Sequence, residues 1–272
     1  MPILSTTELT KLCRTLGRAL ADLLRAFNHQ NGVEVAYKAF YNRLARIGFA
    51  TFMRGMLARL LDQLRVQTRT PDGQKAVARF TDIVIHDGSS FALKSALSGT
   101  FPGRFTTIEP AAVEVHATYS GFGDEVSRVQ IAPDAQAERP FLPDPATLTD
   151  QLLLADRGYP SVAYFEAVAA HGGAFIVRLT RSYDPWIRTA WAEGQRTPVP
   201  TPLRLYRFRW QIERCFKEWK SYANLHQFDT ANVHIAEGLI WASLCAAVLK
   251  RFLAHAEQRV GGTPMSTRPP GS

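Results

Sequence analysis

What this 272-residue chain has little of narrows the field first. Its three cysteines, Cys13, Cys215 and Cys245, stand far apart. They give neither a disulfide framework nor metal-ligand spacing, which fits a reducing, cytoplasmic setting. Long apolar runs are missing. The longest nearly apolar one, Leu239 to Leu249, falls short of the about 20 residues that a membrane span needs and reads as a buried helix, so no membrane partner is expected. The opening "MPILSTTELTKL" lacks a basic stretch followed by an apolar one, which argues against secretion. No GxxxxGK loop is present to cradle phosphates, so nothing indicates use of ATP. His86, His116, His171, His226 and His234 lack the HExxH spacing of a metal helix and read as individually satisfied side chains. With 46% hydrophobic and 21% charged residues, the chain is globular and large enough for one large or two modest domains.

What is present is unevenly placed. Residues 1–80 hold 13 Lys and Arg against 5 Asp and Glu, whereas the remainder holds 19 of each, so the whole net charge of +8 is N-terminal. A concentrated positive field points to a polyanionic partner, nucleic acid first. The same region reads as helices. One begins near a Thr6 or Thr7 cap, and a long amphipathic one starts near Glu34, with arginines among Tyr37, Phe40, Tyr41 and Phe49.

From residue 80 the pattern turns to strands. "RFTDIVIHDGSS" is a β-branched run ending in Asp-Gly, and "AAVEVHATYS" and "EVSRVQIAP" follow as a meander around a "GFGD" turn. "QLLLADRGY" holds a buried strand that stops at Asp156; the helix "SVAYFEAVAAHGG" and the strand "AFIVRLT" come next. The order β-β-β-(short helix)-β-α-β-α predicts an α/β domain of ribonuclease-H-like plan, a mixed sheet flanked by helices, preceded by the N-terminal helical region. Asp87 and Asp156, each at the carboxyl end of its strand, are then expected side by side on one rim of the sheet.

The last helix, "LYRFRWQIERCFKEWKSY", buries a stripe of Leu205, Ile212, Phe216 and Trp219. Tyr206, Arg209, Lys217 and Lys220 fall within roughly 40° of Glu213 on the helical wheel. Taken alone, Arg209 and Glu213 make an i,i+4 pair worth a few tenths of a kcal/mol. In company with Asp87 and Asp156, Glu213 completes three carboxylates able to hold hard divalent ions, Mg²⁺ or Mn²⁺ and two of them, while the cations grip phosphate and Tyr206 hydrogen-bonds or stacks nearby.

The spacing Tyr206-x2-Arg209-x3-Glu213-x6-Lys220 resembles the YREK signature of bacterial insertion-sequence DDE transposases of the IS-four type. "DGSSF" from Asp87 and "LLLADRGY" from Leu152 are similar to the two aspartate motifs of that family. The resemblance covers roughly residues 35–255. It implies a recombinase with Asp87, Asp156 and Glu213 as catalytic metal ligands and Tyr206, Arg209, Lys217 and Lys220 as phosphate-binding residues. It also implies a double-stranded DNA partner, cleavage of transposon ends, joining to target DNA, and a homodimer when two ends are bound. Charge, element pattern and resemblance together divide the chain into a basic DNA-binding region at 1–80, a catalytic core at 81–222, a helical segment at 223–259 and a Gly-, Pro- and Ser-rich tail at 260–272 that is expected to be disordered. One departure stands out: where relatives carry a long β insertion, only Arg181 to Pro202, with Trp186 and Trp191, fills the place and ends as a Pro-rich linker. Two other readings therefore stay open, an internally deleted relic that only binds DNA and a non-transposing ribonuclease-H-like nuclease.

Overall fold

The computed structural model describes residues 20–63, 77, 79–159, 161–178, 191–192, 195–196, 205–222 and 229–261. The Thr6 or Thr7 cap, Cys13, Trp186, most of the shortened insertion with its linker, His226 and the tail beyond Gly261 lie outside the described residues. The chain divides into two compact units, Arg65–Lys217 and Met1–Leu64 with Glu218–Ser272.

In the first unit a five-stranded sheet has the order β3-β2-β1-β4-β5, built from β1 (Asp82–Ala92), β2 (Ala112–Ser120), β3 (Glu125–Pro133), β4 (Gln151–Ala155) and β5 (Ala174–Val177). β1, β2 and β3 pair antiparallel as the meander predicts, and β4 and β5 run parallel to β1. This mixed sheet is the ribonuclease-H-like arrangement expected from the element order. Tight turns make the meander possible: Asp124 takes a positive φ of 53° and accepts a hydrogen bond from the Tyr119 hydroxyl. The crossover from β4 to β5 is α1 (Val162–Ala170), whose first turn is capped by the Ser161 hydroxyl accepting from the Tyr164 N–H at 3.4 Å. That helix packs Phe165 and Val168 on Val84 and Leu153, the alternate residues of β1 and β4 that point to its side of the sheet. β2 lies inside the sheet, between β3 and β1, and has Ala112 to Tyr119 all buried, as a strand covered on both faces must.

β1 differs from expectation. Asp87-Gly88 does not end the strand; β1 continues to Ala92 because its antiparallel ladder with β2 persists to Ala92↔Ala112. The parallel ladder with β4 stops at His86↔Ala155. Asp87 is thus in mid-strand, at the level where its parallel neighbour runs out, and Asp156 is the first residue past that neighbour.

The stretch carrying Glu213 begins with a 3₁₀ turn, Arg207–Arg209, and becomes the α-helix α2 (Trp210–Tyr222). Between it and β5 the described residues include the two-residue strands Trp191–Ala192 and Gln195–Arg196, paired antiparallel.

In the second unit, the expected long helix is two, α3 (Leu20–Asn31) being followed by α4 (Tyr37–Leu44) and α5 (Ile47–Gln63). Neither Gly nor Pro marks the break at Ala45 and Arg46. α5 packs along α6 (Val233–Gly261), where Ala50 and Leu57 are buried on one helix and Ile235, Leu239, Ile240 and Leu244 on the other. Each fully buried aliphatic side chain contributes roughly 1.5–3 kcal/mol. Gly238 is required here, since a Cβ would enter the Phe49 ring. α6 is longer than the sequence suggested. Val233–Ala254 is by length and composition apolar enough to cross a membrane, but 61% of its most apolar window is buried, as in the core helix of a folded unit.

Candidate active site

Strand alternation puts Ile83, Ile85 and Asp87 on one face of the sheet with Leu152, Leu154 and Asp156, opposite the face that α1 covers. Arg209 reaches this rim from the 3₁₀ turn ahead of α2. Its Nη1 donates to Asp87 Oδ2 at 2.5 Å and its Nη2 donates to Glu213 Oε1. The Tyr206 hydroxyl donates to Asp156 Oδ1 at 3.1 Å, and the Arg209 guanidinium lies 5.7 Å over the Tyr206 ring. In a 3₁₀ turn residues three apart eclipse, so Tyr206 and Arg209 reach the two aspartates from one edge. The isolated i,i+4 pair of the sequence reading becomes a three-membered group, and it is largely buried: the side chains of Arg209, Asp87 and Glu213 are 13%, 14% and 27% exposed.

Three carboxylates and one guanidinium thus meet where parallel strand pairing ends. Arg178, the residue after β5, adds its Nε at 3.5 Å from Asp156 Oδ1. No motif names Arg178, but the Ala155↔Val177 register puts it level with Asp156, so position at the third parallel strand end was the available signal. Lys217 is exposed and its Nζ lies 5.9 Å over the Trp210 ring. Lys220 is exposed further along α2.

A family model described as "Transposase DDE domain" matches residues 78–249, the sheet with both flanking helices and much of α6. The chain belongs to the DDE transposase family. A search of curated proteins returns no match. Members of the family act on DNA by phosphoryl transfer and generally use divalent metal ions.

The electrostatics of the transposase rim are divided between its two aspartates. Burial pushes the Asp87 carboxyl up to about 6, against the pull of Arg209 and the Gly88 N–H, with Asp156 and Glu213 adding to the rise. Burial works in the same direction on Asp156, but there the Arg157 N–H, Arg209, Arg178 and Tyr206 together outweigh it and hold the carboxyl below its usual range. Tyr206 is pushed up to about 12, first by burial and then by Asp156, so it remains a donor. Among the described residues no three His, Cys, Asp or Glu side chains are drawn close enough together to hold an ion as they stand. Arg209 takes the intervening place between Asp87 and Glu213. The donor chemistry nonetheless fits a hard divalent ion, because the converging acids offer only carboxylate oxygens, and burial makes Asp87 costly to ionise even beside Arg209.

Behind the rim, on the opposite face, the transposase carries a second polar group that sequence reading missed. Glu114, His116 and His86 are buried there. Only part of the expectation for the histidines holds. His171 Nδ1 donates to the Ala167 carbonyl at 2.8 Å, and His86 Nδ1 meets the Thr118 hydroxyl at 3.0 Å. Among the described residues, however, neither ring nitrogen of His116 has a hydrogen-bond partner. His116 is held by packing, stacked on Phe141 at 3.9 Å between ring centres. Burial lowers its pKa to about 4 and that of His86 to about 3, so both stay neutral.

Proposed function

We propose that this protein is a metal-dependent DNA transposase of the insertion-sequence type whose YREK stretch is Tyr206, Arg209, Glu213 and Lys220, and that it cleaves transposon ends and joins them to target DNA in the bacterial cytoplasm. Asp87, Asp156 and Glu213 are the metal ligands in this reading. The observation that carries it is the Arg209 guanidinium bridging Asp87 and Glu213 beside Asp156, which collects three carboxylates from distant parts of the chain at one rim. Two Mg²⁺ or Mn²⁺ ions bound there would activate the attacking oxygen and stabilise the leaving one.

The remaining roles belong to side chains. Arg209 and Arg178 present guanidinium groups to the rim, and a planar fork matches phosphate oxygens as well as carboxylate ones. Tyr206 keeps its proton and orients Asp156. Lys217 and Lys220 extend a line of positive charge along α2 for the duplex backbone. Lys38, Arg43, Arg46, Arg54 and Arg59 are exposed on α4, α5 and the residues between them, where they offer a second, sequence-independent hold on DNA within the basic region 1–80. Two bound ends call for a homodimer.

The test is incubation with Mg²⁺, a duplex carrying the sequences that flank this reading frame, and a supercoiled target plasmid. Joined end-to-target products are expected. Nicking without joining would assign a non-transposing nuclease, and binding without nicking an inactive relic.

A further inference from the structure

The parallel ladder between β1 and β4 ends one residue short of both aspartates, so backbone pairing does not hold the Asp156 turn beside Asp87. Another set of contacts spans that gap from the opposite face of the sheet. Each aspartate motif carries a glycine whose missing side chain is replaced by a carboxylate. A Cβ on Gly88 would lie 2.5 Å from Glu114 Oε1, and a Cβ on Gly158 would collide with Glu138 Oε2. The other oxygens of the same two carboxylates meet at a single group: Arg104 Nη2 donates to Glu114 Oε2 at 3.3 Å and to Glu138 Oε1 at 3.0 Å.

Arg104 is itself fixed. Its backbone N–H donates to Asp134 Oδ2 at 2.8 Å, its Nε reaches the Asp134 carbonyl at 3.4 Å, and the other Asp134 carboxylate oxygen accepts from the Ser90 hydroxyl on β1. Glu114 has a side chain only 5% exposed, so its place against Gly88 is tightly bounded, whereas Arg104 keeps 45% exposure at the edge of the group. The Asp156 turn closes by the Tyr159 N–H donating to the Asp156 carbonyl at 3.2 Å, which makes Gly158 part of the element that carries the aspartate.

We propose that Arg104 is a positioning residue for the two aspartates: by drawing Glu114 against Gly88 and Glu138 against Gly158, it sets how the Asp156 turn stands relative to β1. The inference rests on the assignment of Asp87 and Asp156 as metal ligands. Without Arg104, the hydrogen bonds that join Glu114 to Glu138 are lost, and both glycine contacts are released. A lysine keeps the charge but replaces the planar guanidinium by a point donor, so it restores the neutralisation and not the strut. Groups behind metal ligands set metal affinity by orienting those ligands, typically by 10–100-fold.

The experiment measures Mn²⁺ binding to DNA-free protein by EPR and calorimetry, well below the melting temperature, for the parent, Arg104→Ala, Arg104→Lys, Glu138→Gln and Asp156→Asn. Each measurement is accompanied by a melting curve. Mn²⁺ affinity is expected to fall 10–100-fold in Arg104→Ala. Arg104→Lys should recover melting temperature more fully than affinity, and Glu138→Gln, at a partly exposed position, should weaken affinity with little change in melting. Parent-like Mn²⁺ affinity in folded Arg104→Ala and Glu138→Gln, with Asp156→Asn losing it, overturns the positioning role alone. Should Arg104→Ala fail to fold, Glu138→Gln decides. Mn²⁺ binding untouched by Asp156→Asn overturns the underlying ligand assignment instead.

Discussion

Replacing Asp87 with Asn should make the ion-free protein more stable at pH 8. Burial raises this carboxyl from 3.8 to about 6 even with Arg209 against it, a shift of about two units. At 1.36 kcal/mol per unit, keeping Asp87 ionised costs about 3 kcal/mol. The sign follows from the direction of the shift. An acid whose folded value is raised favours folding below its unfolded value, near 4, and loses that contribution as pH rises through about 6. Asparagine imitates the protonated form and has nothing to lose. In chelator, Asp87→Asn should therefore exceed the parent by about 2–3 kcal/mol at pH 8, and the advantage should shrink toward zero near pH 4. Urea unfolding followed by circular dichroism reads this as a midpoint displaced by about 1 M or more, given slopes of about 1–3 kcal/mol per molar. Saturating Mn²⁺ should erase the advantage, because it stabilises only the parent by mass action. A variant less stable than the parent at pH 8 in chelator would refute the reasoning.

Arg209→Ala leaves Asp87 and Glu213 buried without their shared cation. It should cost up to about 3–5 kcal/mol in chelator at pH 8 and be partly rescued by Mn²⁺; a melting shift below about 1 °C would return Arg209 to the status of a weak surface pair. Gly88→Ala forces a methyl to 2.5 Å from Glu114 and 3.2 Å from His116 Nδ1, so we expect a loss on the order of 1–3 kcal/mol in urea unfolding, and an unchanged midpoint would contradict it. Deleting residues 1–80 would strip α5 from α6, so charge removal is the cleaner probe of DNA binding. Lys38, Arg43, Arg54 and Arg59 changed together to Gln should flatten the salt dependence by up to about 0.9 for each phosphate no longer neutralised, and an unchanged slope would place DNA elsewhere.

The parts of this structure that sequence made legible are those where a local signal and a global one agree. Asp156 follows a short apolar run that only a buried parallel strand explains, and Glu213 stands one helical turn from Arg209 on a face that repeats every three to four residues. Asp87 was found for a reason only half right. Asp-Gly is the common signature of a turn, yet here the glycine accommodates Glu114 and the strand runs on. Nothing local distinguishes those cases, since the Glu114 that requires the glycine arrives from another strand. The Arg104 group was invisible for the same reason: its carboxylates lie 10, 30 and 34 residues along the chain and carry no common motif. The break between α4 and α5 also escaped, because neither Gly nor Pro announces it.

The central claim is that Glu213 joins Asp87 and Asp156 in holding the ions that cut DNA. The direct measurement is single-turnover nicking of an end-containing duplex in Mg²⁺ or Mn²⁺ by the parent and by Glu213→Gln, with duplex affinity and melting temperature taken on the same preparations. The account predicts that Glu213→Gln stays folded and binds the duplex largely as the parent does, but no longer nicks it. Nicking that persists at the parental rate in Glu213→Gln would contradict the account.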